Sequence, residues 1–260
     1  MALPDLASLR GLARSLTVYR LDRAHARGLR ALYRPFIAPG DLVIDVGAHV
    51  GDRVAACRAL GALVVAVEPQ RLLAQTLRLF HGFDRGVTVE RLALGPAAGE
   101  AVLHVNRANP TVSTRAADFL AATRGAAGWE GQNWDATETV AADTLDGLIA
   151  RHGAPSFIKI DVEGFEPDVL AGLTSPPPAL SFEIVTAHRA AGAAALDRTR
   201  ALGYRAFRLS PGEAHAWSTP WLNGKAMADH LAGLPDSVNS GDVYAVMPGH
   251  RALEDRQLTP

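Results

Sequence analysis

The chain has 260 residues, 48% of them hydrophobic, and a formal net charge of −1. That is enough apolar material for a sizeable core, and the near-neutral balance gives no global pull toward nucleic acid or a membrane surface. A lone cysteine, Cys57, excludes an internal disulfide framework and a cysteine zinc cluster, and no apolar run approaches the ~18 residues of a membrane span.

The first 38 residues are basic, with arginines at 10, 14, 20, 23, 27, 30 and 34 against Asp5 and Asp22. Leu6, Leu9, Leu16 and Tyr19 fall at helical spacings. No signal-peptide core is present, so a soluble cytoplasmic protein is expected. A solvated helical face packed on the main domain is the favoured reading of this segment; attraction to an acidic glycan or lipid is the sharper one.

Residues 42–51 read Leu-Val-Ile-Asp-Val-Gly-Ala-His-Val-Gly. The β-branched run predicts a buried strand ending at Asp45, Gly47 and Gly51 a tight turn, and 50–60 a helix. A second apolar run at 63–67 closes with Glu68-Pro69. In open parallel sheets ligands bind outside the carboxyl ends of the strands, so Asp45, Gly47, Gly51 and Glu68 are expected to line one cofactor pocket. Glu68 stands 23 residues after Asp45, where an acid can accept from both hydroxyls of a ribose. NAD and S-adenosylmethionine share that diol, and the glycines discriminate between them. The dinucleotide fingerprint needs a glycine where Asp45 stands. A carboxylate there would repel a pyrophosphate and suit an amine and a sulfonium, which favours S-adenosylmethionine over an NAD-dependent oxidoreductase.

A helix is predicted at 70–81 and a third strand at 87–94, with 100–106 as a hairpin partner. Residues 106–136 are irregular and polar, with Trp129 and Trp134 inside. Such an insertion is usually functional or disordered, and its aromatics suit either sugar stacking or core packing. Next come a helix at 144–152, a strand at 156–161, a helix at 165–173, a strand at 180–185, an alanine-rich helix at 188–203, and strands at 204–209 and 242–247. This alternation predicts a doubly wound, mostly parallel α/β sheet with helices on both faces. One domain over 1–260 is expected, with an N-terminal helical extension (1–38), a cofactor-binding and catalytic core (40–185) and a C-terminal part of the sheet (186–260).

Lys159, Asp161 and Glu163 fall at spacings of two within Phe-Ile-Lys-Ile-Asp-Val-Glu-Gly-Phe, residues 157–165. In a strand such residues share one face, and charges in a buried strand are expensive unless paired. Of 26 basic residues only Lys159 and Lys225 are lysines. A structural ion pair is the bland reading; a site is the favoured one. Glu183 ends the neighbouring strand and His188 follows five residues later; both could converge with Asp161 and Glu163. The carboxylates could hold a divalent cation through oxygen ligands or supply a general base without metal; the spacing leaves both open. Trp217 and Trp221 place the 210–240 segment, with the 106–136 insertion, around an acceptor pocket.

Taken together, residues 45–51, Val-Glu-Pro at 67–69, Ala-Leu-Gly at 93–95, Thr-Leu-Asp at 144–146, Ile-Lys-Ile-Asp-Val-Glu-Gly at 158–164 and Phe-Glu-Ile at 182–184 resemble the FkbM family of S-adenosylmethionine-dependent methyltransferases. The resemblance covers about residues 40–185. It implies a class I methyltransferase (Rossmann-like) fold with a seven-stranded sheet, and O-methylation of a sugar, glycan, glycolipid or natural-product hydroxyl. It implies cofactor contacts from Asp45, Gly47, Gly51 and Glu68, beside which Ala48, His49 and Ala93 are expected on the cofactor; the charged cluster is expected to supply catalysis through Lys159, Asp161, Glu163 and Glu183, with Asp161 or Glu163 as the base. Asn109 and Ser113, in a polar loop resembling the family's Asn-x-x-x-Ser segment, and His188 are expected on the acceptor. His49 departs from the family's usual asparagine and brings a ring whose charge depends on pH. No nucleic-acid partner is expected, since basic–aromatic interleaving is absent.

Overall fold

The computed structural model describes residues 4–254. The N-terminal segment is helical but broken: α1 (Leu6–Ser15) runs through a π-helical turn (Leu16–Arg20), and α2 (Arg23–Tyr33) restarts where the Asp22 carboxylate caps the amides of Ala24 and His25. β1 (Leu42–Val46), α3 (Asp52–Ala59), β2 (Leu63–Val67), α4 (Arg71–His81) and β3 (Val87–Glu90) follow.

The predicted third strand is two elements. β3 ends at Glu90, and Ala93–Leu94 (β4) turns away into a second sheet. There β5 (Gly99–Val105) has a partner that the sequence reading missed, β6 (Ala136–Asp143), with β4 on the far side of β6. The strand at 99–105 is thus a hairpin arm across the long insertion, not a partner of residues 87–94. The insertion itself is ordered by a 3₁₀ turn (Pro110–Val112) and α5 (Ala117–Thr123). Trp129 and Trp134 meet Phe119 edge-on at 5.1 and 6.1 Å in a small core of their own.

α6 (Leu145–His152), β7 (Phe157–Ile160), α7 (Glu166–Ala171), β8 (Ala179–Val185), α8 (Arg189–Ala201), β9 (Ala206–Pro211), α9 (Gly224–Ala232) and β10 (Ser240–Val246) complete the chain. The seven-stranded sheet has the order β3-β2-β1-β7-β8-β10-β9, with only β10 antiparallel. The doubly wound, mostly parallel sheet with helices on both faces is therefore what forms. On one face Ile44, Val46, Ile158 and Phe182 pack under α6, α7, α8 and α9. On the other, Val43, Phe157 and Tyr244 pack under α2, α3 and α4. Trp217 and Trp221 join this second core against Phe36 and the Arg208 guanidinium, so they do not shape an acceptor pocket. The chain winds outward from β1 to β3, then returns and winds the other way from β7. The crevice between β1 and β7 is the topological switch point, where ligands bind in sheets of this kind. Among the described residues no helix is long and apolar enough to cross a membrane.

Candidate active site

A cavity of about 400 Å³ opens above the switch point, within the range of small-molecule sites. Its floor depends on a close approach of two loops. Gly47 follows β1 with φ +82°, and a Cβ on it would sit 1.8 Å from the Asp161 carbonyl oxygen after β7. Only glycine tolerates both conditions. Two residues on, His49 holds φ 48° and its amide donates to Glu68 Oε2 at 2.9 Å. Glu68 Oε1 accepts from the Gln70 amide at 2.8 Å. Burial pushes the Glu68 carboxyl up to about 8, against these two backbone donors. Burial likewise lowers the His49 imidazole to about 4, so the ring is neutral at physiological pH; its Nε2 lies 3.0 Å from Ser15 Oγ.

Gly47, His49, Glu68 and Ala93 line the cavity, as do Asn109 and Ser113. Asn109 Oδ1 accepts from Arg14, and Ser113 Oγ donates to Gln70. Three expected cofactor residues sit behind the wall. Ala48 is packed in the second core. Gly51 caps α3 and passes its carbonyl to Arg20. Asp45 is 1% exposed on the α3 face of β1, opposite Val46, and neither carboxylate oxygen has a partner among the described residues. Burial pushes it up to about 7. His188 also lies off the cavity: it packs beside Gly164 and Phe119, with Nε2 3.2 Å from Asp118.

Asp161, Glu163 and Glu183 do converge, their oxygens within 4.8 Å of one another. They do so by a bend and not by strand alternation, because β7 ends at Ile160. Glu163 takes a left-handed φ of 56°, and the Glu166 carboxylate fixes the bend by accepting the amides of Val162 and Gly164 at 2.9 and 3.3 Å. One oxygen each of Glu163 and Glu183 is buried without a partner among the described residues. Burial and the neighbouring Asp161 charge push both well above the usual carboxylate range. Burial would raise Asp161 too, but Lys159 and Arg53 outweigh it and hold that carboxylate ionised. The three oxygens also suit a divalent cation, which would displace their protons.

Lys159 is 1% exposed and does not reach the cavity. Its ammonium lies 2.7 Å from Asp242 Oδ1 and 3.2 Å from Asp161 Oδ2. Burial opposes its charge, but these two carboxylates outweigh burial and hold it above the usual lysine range. Lysine here anchors the carboxylates from below.

Asp242 was invisible in the sequence because it comes from an antiparallel strand 83 residues away. So was Arg53, which lines the cavity and bridges Asp52, Asp161 and Glu213 at 3.1, 3.7 and 3.3 Å. The sole signal for it was an Asp-Arg pair at a helix start. His25, Asp52, Glu213 and His215 complete this network and tie α2 to α3 and to the loop after β9.

A family model described as the methyltransferase FkbM domain matches residues 45–205. No curated protein sequence matches the chain. Among solved structures, the chain is similar to a precorrin-6y C5,15-methyltransferase from Geobacter metallireducens, at 10% identity and TM-score 0.45 over 88% of this chain and 91% of that one. It is similar to a TehB-like SAM-dependent methyltransferase from Corynebacterium glutamicum, at 9% identity and TM-score 0.45 over 90% and 94%. It is also similar to Aeropyrum pernix fibrillarin with natively bound S-adenosyl-L-methionine, at 9% identity and TM-score 0.45 over 88% and 75%.

Proposed function

The chain belongs to the FkbM methyltransferase family, and from that premise we propose that it methylates an oxygen: the hydroxyl of a sugar, glycolipid or natural-product acceptor. The class I methyltransferase fold and S-adenosylmethionine dependence come with the family; the acceptor chemistry rests on the carboxylate cluster. The observation that carries it is the juxtaposition of two environments in one cavity. At the end of β2, Glu68 and the Gly47 turn form a cradle without any cationic side chain bound to the carboxylate. Such a site fits a ribose diol and a phosphate-free cofactor. Two strands across the sheet, after β7, Glu163 presents a buried oxygen without a partner among the described residues.

S-adenosylmethionine, when bound, supplies an already activated methyl group. The residues need to bind it, align a nucleophile and remove a proton. Glu68 would hold the ribose, with Gly47, His49 and Ala93 shaping the wall. Glu163 in its ionised form is the general base: burial raises its proton affinity above that of an ordinary carboxylate, which strengthens it as a base while only its deprotonated fraction can accept the hydroxyl proton. Asp161, ionised and fixed by Lys159 and Arg53, would orient the hydroxyl, and Glu183 would share its proton with Asp161. Excluding water and holding the nucleophile in line can supply roughly 7–11 kcal/mol of the barrier.

Calorimetric titration with S-adenosylmethionine, with NAD as control, tests the cofactor half; NAD binding would sink it. Glu163→Gln is expected to keep S-adenosylmethionine affinity and lose about 10²–10⁴-fold in turnover, followed as S-adenosylhomocysteine release over a panel of hydroxylated sugars. Unchanged turnover overturns the base assignment. A requirement for magnesium or manganese in the same assay would make Asp161, Glu163 and Glu183 a cation site instead.

A further inference from the structure

The N-terminal helix is built the wrong way round for one that merely packs on a domain. α1 buries Gly11 and Ser15. A Cβ on Gly11 would sit 2.4 Å from the Arg107 carbonyl oxygen, so small side chains let its backbone lie against the insertion. To solvent it turns Leu6, Leu9, Arg10 and Arg14, and the π-helical turn continues the stripe with Val18 and Leu21. Leu6 is 62% exposed and Leu21 73%. An ordinary surface helix shows the opposite arrangement.

A second segment of the same composition lies beside it. The end of α4 and the turn after it expose Arg78, Leu79, Phe80, Phe83 and Arg85, with Phe83 fully exposed. The two segments meet where the Arg20 guanidinium lies 4.7 Å over the Phe80 ring and 3.2 Å from His81. Of the ten exposed large apolar side chains among the described residues, seven fall in these two segments. Scattered apolar side chains need no explanation, but neighbouring ones do. Of the arginines in these two segments, Arg10, Arg78 and Arg85 are exposed and make no ion pair among the described residues.

We propose that this face binds an anionic membrane surface. Its leucines and phenylalanines would enter the headgroup–acyl boundary while the arginines meet lipid phosphates. A second copy of the chain fits less well, because pairing the face with itself sets arginine against arginine. The same segment reaches the cavity, whose rim includes Arg14 and Tyr19. Docking therefore brings the cavity mouth to the bilayer and favours an acceptor hydroxyl carried on a lipid; this last step rests on the methyl-transfer reading, whereas the surface does not.

Co-sedimentation of the full chain with vesicles of phosphatidylcholine and phosphatidylserine in a ~3:1 ratio tests it. Binding is expected, about tenfold weaker on pure phosphatidylcholine and weakened by salt. The double variant Leu9→Glu/Phe83→Glu, both positions outside the cavity, is expected to lose at least about tenfold in vesicle affinity while circular dichroism and S-adenosylmethionine affinity stay unchanged. No vesicle binding, or equal binding by the variant, overturns the proposal. So does a lipid-free dimer that the variant abolishes, which would assign the face to a second copy. Loss of S-adenosylmethionine binding with vesicle binding intact would sink the methyl-transfer reading and leave the surface standing.

Discussion

At the residue scale, the proposed chemistry rests on the buried acids. With its carboxyl raised to about 8, Glu68 is mostly protonated at pH 7 before cofactor binds. Two ribose hydroxyls donating to it would favour the ionised form. Binding of S-adenosylmethionine at pH 7 is therefore expected to release close to one proton, and Glu68→Gln to abolish that release. Calorimetry in buffers of different ionisation enthalpy measures this; a proton count independent of Glu68 would refute its proposed role. Lys159 makes the complementary case. Its partners Asp161 and Asp242 are bound at 3.2 and 2.7 Å, so Lys159→Met would leave two carboxylates without their shared cation. A loss of about 3–5 kcal/mol is expected in denaturant unfolding. A stable but inactive variant would instead argue for direct contact with the acceptor.

At the element scale, the site is made by strand ends and the turns that leave them. The turn after β1 and the bend after β7 touch through a single glycine. Gly47→Ala would force a side chain into a left-handed φ of +82° and onto the Asp161 carbonyl oxygen. It is expected to cost about 1–3 kcal/mol from the backbone alone, and to weaken S-adenosylmethionine binding by displacing His49 and Glu68 together. Urea denaturation beside calorimetry checks both, and an unaltered affinity would mean that the turn does not shape the cofactor cradle. The strand patterns at 42–46 and 63–67 were legible because continuous apolar runs bounded by glycine or proline leave few alternatives. β4 and β6 were not. Ala93–Leu94 continues an apparent strand, and β6 is half-exposed and alternates weakly, so neither periodicity nor composition marks its pairing with a strand across a long insertion.

At the scale of the whole molecule, burying so many acids ties stability to pH. Asp45 is raised to about 7, Glu166 to about 7 and Glu68 to about 8, each by burial. The folded state therefore binds more protons than the unfolded chain. Their contribution is complete below the ordinary carboxylate pKa values and is lost as pH rises toward 8. His25, raised by its hydrogen bond to Asp52, loses stability in the same direction. His49, lowered to about 4 by burial, opposes this only below about pH 6.5. The melting temperature of the protein without cofactor is expected to fall from pH 6.5 to about 8, each of these carboxyls contributing on the order of 1.4 kcal/mol per pH unit only up to its own raised pKa. Scanning calorimetry measures it, and a melting temperature that rises over this interval would refute the assignment of these protons.

By itself the sequence determined the doubly wound sheet and the placement of Gly47, Glu68 and Asp161 at its strand ends, because strand period, turn chemistry and position at a strand's end are local properties; the bend that brings Glu163 to Asp161 was not among them. Only the tertiary structure decided which side of the wall each residue occupies. A one-residue step along a strand moves a side chain to the opposite face, which sends Asp45 and Lys159 under the cavity while Val46 lines it. It also decided who pairs with whom. Asp242 and Arg53 reach Lys159 and Asp161 from distant segments, and Glu213 reaches Arg53; a buried charge must find its partner wherever the packing of the sheet and its helices places one.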